Sequence, residues 1–269
     1  MALVRIITWN VNGLRAVERK GELDNLIKKE SPDILLLQEI KGKPEQFSRW
    51  LTENESYQQF YHSAKKPGYA GTGIWVERKL FNDLKNAKFK TTVPKAPNAD
   101  EGRVAHLSFC YNGKIYDILS IYFPNGGKNE QAWLDKLIFF DKVLDYMNKL
   151  RKEGGEVIVG GDMNVAHTEL DIKRAKENEG NIGFHPQERS WVDKVISNKW
   201  ADVWRAKNPK KTEVYSWWNV YTKARERNVG WRIDYFFIDS KLLPSVKKIK
   251  YLQYQMGSDH CPLLMDILI

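Results

Sequence analysis

The chain has few cysteines and no long apolar run. Its two cysteines, Cys110 and Cys261, lie far apart among 269 residues, and neither belongs to a CxxC pair. This favours a reducing compartment over a disulfide-stabilised secreted protein. No apolar stretch approaches membrane-spanning length, and no signal-peptide apolar region precedes the first strand-like run. We therefore expect a soluble, intracellular protein with no membrane partner.

The chain also lacks the features that divide a sequence into domains. It has no linker rich in proline, glycine or serine, no low-complexity tract and no internal repeat. Strand-like runs continue from Val4 to Ile267 without a change in composition. Because 269 residues are enough to bury a substantial core, we predict one domain over residues 1–269.

Acidic residues are fewer than basic ones. Lys and Arg number 43 against 34 Asp and Glu, which gives a net charge of +9. Such an excess fits an anionic partner such as nucleic acid, but a solvated, lysine-rich surface explains it equally well. The basic clusters at residues 85–90, 207–211 and 247–250 are interspersed with other residue types, which predicts surface loops.

Apolar runs with strand and helix periodicity alternate along the chain. The clearest helix covers residues 131–151, and shorter ones are expected at 22–29 and 188–197. The stretch from 71 to 122 contains strands with little helix, which adds antiparallel hairpins to an α/β pattern. We therefore predict an α/β fold with mixed sheets, most simply two packed sheets. The predicted strands cover residues 4–9, 34–37, 71–76, 103–109, 115–122, 157–159, 233–238 and 263–267.

Oxygen-bearing side chains stand close to the ends of several predicted strands. A strand-end glutamate such as Glu39 often does no more than mark a turn, but in company it can hold a cation. Oxygen ligands without thiolate or histidine neighbours favour a hard ion such as Mg²⁺ or Mn²⁺. The candidates are Asn10, Asn12, Glu39, Asp162, Asn164 and Asp259.

A second group of candidates lies just before the last strand. Ser258, Asp259 and His260 are consecutive, but neighbours in an extended segment point to opposite faces, which argues against a hydrolase triad. A carboxylate from elsewhere must orient His260, and Asp234 is the candidate. Cys261 is open to two interpretations, a nucleophile or, more commonly, a small buried hydrophobe.

Aromatic and basic residues are interleaved in the segment 215–232. Three of the ten tryptophans lie there, namely Trp217, Trp218 and Trp231. Aromatic rings of this kind can stack on bases or sugars while arginines contact phosphate. An aromatic mini-core covered by exposed arginines would give the same pattern, so both interpretations stay open.

Seven blocks of the sequence closely resemble the signature motifs of the exonuclease III family of apurinic/apyrimidinic endonucleases. They occur in the family's order and span essentially the whole chain. The blocks are residues 9–15, 37–39, 122–126, 161–167, 183–189, 228–234 and 257–262.

This resemblance implies a four-layered α/β sandwich, in which two mixed β-sheets pack face to face with helices on the outside. It also implies Mg²⁺-dependent hydrolysis 5′ to abasic sites in double-stranded DNA, with Mn²⁺ able to substitute. The expected side activities are those of a 3′–5′ exonuclease and a 3′-phosphodiesterase or phosphatase. No obligate protein partner is implied, and the expected location is the cytoplasm or nucleoid.

The resemblance implies a role for each site residue. Glu39 corresponds to the principal metal ligand. Asp162 would position and deprotonate the attacking water, Asn164 would orient it, and His260, held by Asp234, would donate to the phosphate. Tyr122 would contact the same phosphate or assist the leaving group. The other residues implied in the metal region are Asn10 or Asn12, Asp162, Asn164 and Asp259, with Asn12 standing where many relatives have aspartate.

The resemblance also implies contacts with DNA. Asn178 and Asn181 would grip the target phosphate, and Trp217, Trp231 and Ile233 would line a pocket for the flipped, baseless sugar. The remaining implied contacts, with the DNA backbone, the groove or the inserted wedge, are Asn12, Arg15, Tyr69, Arg103, Lys128 and Tyr221.

Two alternatives to an abasic-site nuclease stay open. The same fold could act on RNA, unspecific DNA or a phosphorylated small molecule. A non-catalytic DNA-binding module is the other class, but it predicts the loss of Glu39, Asp162 or His260, and all three are present.

Overall fold

The computed structural model describes residues 2–269, which form fourteen strands and eight α-helices. The strands are β1 (Leu3–Asn10), β2 (Ile34–Gln38), β3 (Tyr57–His62), β4 (Thr72–Glu77), β5 (Lys85–Lys90), β6 (Val104–Tyr111), β7 (Lys114–Tyr122), β8 (Glu156–Asp162), β9 (Trp200–Asp202), β10 (Trp217–Trp218), β11 (Gly230–Trp231), β12 (Asp234–Asp239), β13 (Val246–Tyr251) and β14 (Leu263–Leu268). The helices are α1 (Leu14–Arg19), α2 (Glu22–Glu30), α3 (Arg49–Thr52), α4 (Arg78–Asp83), α5 (Glu130–Lys152), α6 (Ala175–Asn178), α7 (Pro186–Ser197) and α8 (Val203–Lys207).

Twelve of the strands form two six-stranded sheets. The first has the order β13-β14-β1-β2-β4-β3 and the second β5-β6-β7-β8-β12-β9, while β10 and β11 form a separate ribbon. Both sheets are mixed, because β1 and β2 are parallel in the first and β7 and β8 are parallel in the second, whereas the other neighbouring strands run antiparallel.

The sheets pack against each other and are covered by helices on their outer faces. On β1, Ile6 belongs to the apolar cluster between the sheets, while its neighbour Ile7 belongs to the cluster beneath α1 and α2. Both side chains are fully buried, because successive residues of a strand point to opposite faces. Phe140 of α5 and Trp191 of α7 cover the second sheet in the same way. The predicted four-layered α/β sandwich is therefore confirmed.

The sequence predicted that all three basic clusters are surface loops, and for two of them this prediction is wrong. Residues 85–90 form β5, and residues 247–250 lie within β13, which are edge strands of the two sheets. Lysines on an edge strand discourage pairing with another chain, so a basic strand of this kind looks like a loop in the sequence. In the third cluster α8 ends at Lys207 and residues 208–211 form turn and loop. Among residues 2–269, no helix is long and apolar enough to cross a membrane.

The parallel pairs bring polar strand ends to one rim of the sandwich. Asn10 at the end of β1 is in register with Gln38 of β2, and Glu39 follows directly. Tyr122 at the end of β7 is in register with Asp162 at the end of β8, which also faces the start of β12.

Candidate active site

The centre of the site is a pair of carboxylates joined by an amide. The amide nitrogen of Asn10 donates to Glu39 Oε1 and to Asp162 Oδ2, both at 2.9 Å. Asn10 and Asp162 are buried, and Glu39 is partly exposed. Because Glu39 directly follows β2 of the first sheet and Asp162 ends β8 of the second, the site depends on the packing of the two sheets.

Three residues of the rim have left-handed backbones. The φ angles are 45° at Asn12, 50° at Glu39 and 50° at Asn164. Asparagine tolerates this conformation, but glutamate does so at a cost of the order of 1–3 kcal/mol. Backbone bonds on both sides hold the turn at Glu39, including Gly13 N to Glu39 O at 2.8 Å and Ile40 N to Gly71 O at 3.1 Å. The turn directs the carboxylate toward the rim immediately after a buried strand.

A histidine and an aspartate form a buried dyad beside these carboxylates. His260 Nδ1 lies 2.8 Å from Asp234 Oδ2, and its Nε2 lies 3.8 Å from Asp162 Oδ2. Ser216 Oγ accepts from the backbone N–H of Asp234 and fixes the start of β12. Asp259 turns away from His260 and accepts from the indole of Trp217 at 3.0 Å. Neighbouring Asp259 thus does not orient the imidazole.

Burial and neighbouring charges shift the pKa values of His260, Asp162 and Tyr122. Burial alone lowers the pKa of His260, but Asp234 and Asp162 outweigh it and raise that pKa to about 10. Burial raises the pKa of Asp162 to about 7, and His260 opposes this shift. The pKa of Tyr122 lies well above its ordinary value, through burial first and then through Glu39 and Asp162. His260 and Tyr122 are therefore proton donors at neutral pH.

The donor set fits a hard divalent cation. Glu39, Asp162 and His260 each offer an atom within 4.8 Å of the others, and Asp234 holds His260 through Nδ1. The carboxylate oxygens of Glu39 and Asp162 remain, which suits Mg²⁺ or Mn²⁺ better than zinc. Asn10 presents its nitrogen to both carboxylates, and its Oδ1 accepts from Asn12 N at 3.0 Å. As placed, Asn10 links the two acids instead of offering a ligand oxygen.

A cavity of about 240 Å³ contains the carboxylates of Glu39 and Asp162 and has an apolar wall on one side. The rings of Trp217 and Trp231 stand perpendicular at 5.9 Å, and Ile233 completes this wall. Gly183 packs against the Trp231 ring, since an added Cβ would lie 2.7 Å from it. A glycine at this position therefore lets the loop before α7 approach Trp231 closely.

Basic and aromatic residues surround the rim. Arg103 is buried, donates to Tyr69 Oη at 2.9 Å and lies 5.1 Å above the Tyr122 ring. Tyr69 and Arg103 line a second cavity of about 460 Å³ together with Lys128. On the other side of the site, Arg15 donates to the backbone of Lys41 at 3.4 Å.

The remaining substrate candidates lie outside the pocket. Asn178 donates to Arg174 O at 2.9 Å, and Asn181 donates to Glu177 O at 3.5 Å, so both amides are directed back onto the helical turn around α6. Tyr221 is 98% exposed, as a residue inserted into DNA would need to be.

Sequence reasoning missed several residues that shape the site. Lys41 pairs with Glu39 Oε2 at 2.8 Å and also bonds Asn12 Oδ1. Asn125 lines the pocket and Lys136 contacts its backbone. Lys41 follows Glu39 by two residues and Asn125 lies in a recognised block, so proximity along the chain was a usable signal for these two. Lys136 carried no such signal.

Comparisons with known proteins agree with this geometry. A family model described as the Endonuclease/Exonuclease/phosphatase family matches residues 7–260. The chain is 33% identical over 264 residues to a Bacillus subtilis protein named exodeoxyribonuclease, covering 98% of this chain and 99% of that protein. It is 34% identical over 267 residues to a Dictyostelium discoideum DNA-(apurinic or apyrimidinic site) endonuclease, covering 97% and 69% of the two chains. The crystal structure of an AP endonuclease from Leishmania major matches with a TM-score of 0.88 at 28% identity, over 99% of this chain and 88% of that one.

Proposed function

The chain belongs to the endonuclease/exonuclease/phosphatase family, and we propose that this DNA-repair nuclease hydrolyses the phosphodiester 5′ to abasic sites in duplex DNA. The resemblance to the exonuclease III type of AP endonuclease is confirmed by the relatives and the structural match. The observation that carries the substrate assignment is the wall of Trp217 and Trp231 in the same cavity as the carboxylate cluster.

The cluster supplies what hydrolysis of a phosphodiester needs. Mg²⁺, held by Glu39 and Asp162, would neutralise phosphate charge and lower the pKa of water. Asp162 accepts the proton of the attacking water, and Asn164 orients that water. His260 donates a hydrogen bond to the phosphate oxygen that gains charge, and Asp234 keeps the imidazole protonated. Tyr122 donates to the same phosphate or to the leaving oxygen.

The pocket gives the reaction its selectivity. The rings of Trp217 and Trp231 give a bare deoxyribose an apolar surface in the same cavity as the carboxylates. Extrusion of an abasic nucleotide also costs less, since no base must be unstacked. The same pocket beside the same carboxylates would accept a 3′-terminal residue, which accounts for 3′–5′ exonuclease and 3′-phosphatase or phosphodiesterase activity.

The surface around the pocket is suited to a DNA backbone. The net charge is +9, and we assign backbone, groove or wedge contacts to the candidates around the rim. We also place the protein in the cytoplasm or nucleoid, where its substrate lies. Because phosphate contacts dominate such complexes, affinity should fall steeply with salt. The assigned contacts are Asn12, Arg15, Tyr69, Arg103, Lys128, Asn178, Asn181 and Tyr221.

The test is cleavage of a labelled duplex that carries one tetrahydrofuran abasic analogue, next to the same duplex without it. We expect a single cut 5′ to the analogue with Mg²⁺ or Mn²⁺ and none with EDTA. Equal cutting of the intact duplex would indicate a non-specific nuclease of the same fold. Binding without cutting in the presence of either metal would indicate a DNA-binding module.

A further inference from the structure

A fully buried ion pair joins the helices behind the site to the loops that form it. Lys136 of α5 and Glu188 of α7 are both inaccessible to solvent, and the Lys136 ammonium pairs with Glu188 Oε1. Buried ion pairs are weak evidence for stability, because the desolvation of two charges offsets their attraction. The contacts of this pair point to a role in the site itself.

The Lys136 ammonium contacts two active-site loops. Its Nζ donates to the carbonyl of Asn125 at 3.0 Å and to the carbonyl of Asn164 at 2.9 Å. Asn125 lies in the loop after β7, and Asn164 lies in the loop after β8. The ion pair with Glu188 Oε1 is the third polar contact of the same ammonium.

The glutamate contacts the third loop. Glu188 Oε2 accepts from the backbone N–H of Gly183 at 2.7 Å and of His185 at 3.1 Å. Gly183 lines the active-site cavity and packs against the Trp231 ring. The carbonyl of Gly183 in turn accepts from Ala166 N at 2.8 Å. The ion pair therefore connects the loops after β7 and β8 with the one before α7.

Asn164 shows why this connection bears on catalysis. Its left-handed backbone, with φ 50°, has three anchors. The first is its N–H to Asp162 Oδ1 at 2.8 Å, the second its side-chain nitrogen to Phe123 O at 2.9 Å, and the third its carbonyl to Lys136. Without the third anchor, the backbone can relax and carry the Asn164 side chain away from the phosphate.

We propose that Lys136 is a positioning residue, which holds Asn164 and the pocket loops in the geometry needed for hydrolysis. Misplacement of a reacting group by about 1 Å can cost on the order of 100-fold in rate. Loss of Lys136 should therefore slow the chemical step more than it weakens DNA binding. This proposal rests on the proposed function, because its test uses the abasic duplex as the substrate of the enzyme.

The test compares two variants that both lack the ion pair. Glu188→Gln keeps the Lys136 donors and an oxygen for Gly183 and His185. Lys136→Met/Glu188→Gln keeps that oxygen but loses the donors to Asn125 and Asn164. Glu188→Gln leaves the Lys136 ammonium buried without its counter-ion, so thermal unfolding shows how much of any change in rate comes from lost stability. Single-turnover cleavage, duplex Kd and thermal unfolding are measured for wild type and both variants.

We expect the double variant to cleave about 10- to 100-fold more slowly than Glu188→Gln, with duplex Kd values within about threefold of each other. Equal cleavage rates in the two variants would overturn the proposal, as would a loss of rate matched by an equal loss of binding. If the double variant does not fold, Lys136→Gln/Glu188→Gln is compared in the same way. Wild-type protein that fails to cut the abasic duplex refutes the proposed function instead.

Discussion

Lys41 is the counter-ion of Glu39, which we propose as a metal ligand, and its removal should tighten metal binding. Its ammonium lies 2.8 Å from Glu39 Oε2 and also bonds Asn12 Oδ1. The Lys41 side chain is 31% exposed and that of Glu39 is 16% exposed. A divalent cation that takes Glu39 as a ligand must displace this ammonium. Lys41→Met removes the competitor.

The magnitude follows from the two contacts that the cation would break. A partly exposed ion pair contributes about 0.2–1 kcal/mol, and the hydrogen bond to Asn12 contributes about 0.5–1.5 kcal/mol. Together these contacts oppose metal binding by about 0.7–2.5 kcal/mol, so Lys41→Met should lower the Kd for Mg²⁺ by roughly 3- to 70-fold.

Calorimetric titration of the DNA-free protein with MgCl₂ measures this directly, and MnCl₂ provides a repeat. Lys43→Met is the matched control, because it removes the same charge from an exposed position in the same loop. Glu39→Gln should change affinity in the opposite direction and raise the Mg²⁺ requirement, while duplex binding stays largely intact. An unchanged or weaker affinity in Lys41→Met would show that the ammonium supports Glu39 instead of competing with the metal.

Three further perturbations test the dyad, the pocket and the core beneath them. Asp234→Asn should slow cleavage by about 10²- to 10⁴-fold. Because Asp234 raises the pKa of His260, its loss should also move the alkaline limb of the pH–rate profile to lower pH; a wild-type profile would contradict the pairing. Gly183→Ala places a Cβ 2.7 Å from the Trp231 ring, so kcat/KM on abasic duplex should fall about tenfold or more. Unchanged kinetics would show that the contact between Gly183 and Trp231 does not shape the substrate site. Asp171 is buried and, although burial opposes it, two arginines hold its pKa well below the ordinary value. Its contribution to stability is therefore present above about pH 4 and lost as pH falls further. Asp171→Asn should lower the free energy of unfolding by about 3–5 kcal/mol at pH 7, with a smaller difference from wild type below pH 4; an equal difference at both pH values in urea unfolding would refute this.

The sequence predicted the architecture because its strands are apolar on both faces. Ile6 and Ile7 could both be buried only in a sheet covered on both sides, and the long helix at 131–151 matches α5 within one residue at each end. The edge strands β5 and β13 were mistaken for loops because their lysines face solvent. Periodicity reports burial, and an edge strand with little burial leaves little periodic signal.

The site was predictable where chemistry and strand ends coincide, as at Glu39, Asp162 and His260. The supporting contacts were not predictable, because they depend on distances that only the folded chain defines. Lys136 is separated from Asn164 by 28 positions and from Glu188 by many more. On an amphipathic helix, Lys136 resembles any solvated lysine.

The glycine pair before Asp162 explains how carboxylates from two sheets come within reach of one amide. A Cβ at Gly160 would lie 2.6 Å from Leu36 of the opposite sheet, so its absence permits close packing of the sheets at this point. At Gly161 the φ angle is 153°, and a Cβ would lie 1.9 Å from the carbonyl of Ile121. Gly161 is therefore required by the backbone itself, whereas Gly160 is required by the close packing of side chains from β2 and β12. A larger residue at Gly161 would move the end of β8 and lengthen the bonds from Asn10, so the distance between the two acids is determined by sheet packing before any side chain of the site is considered.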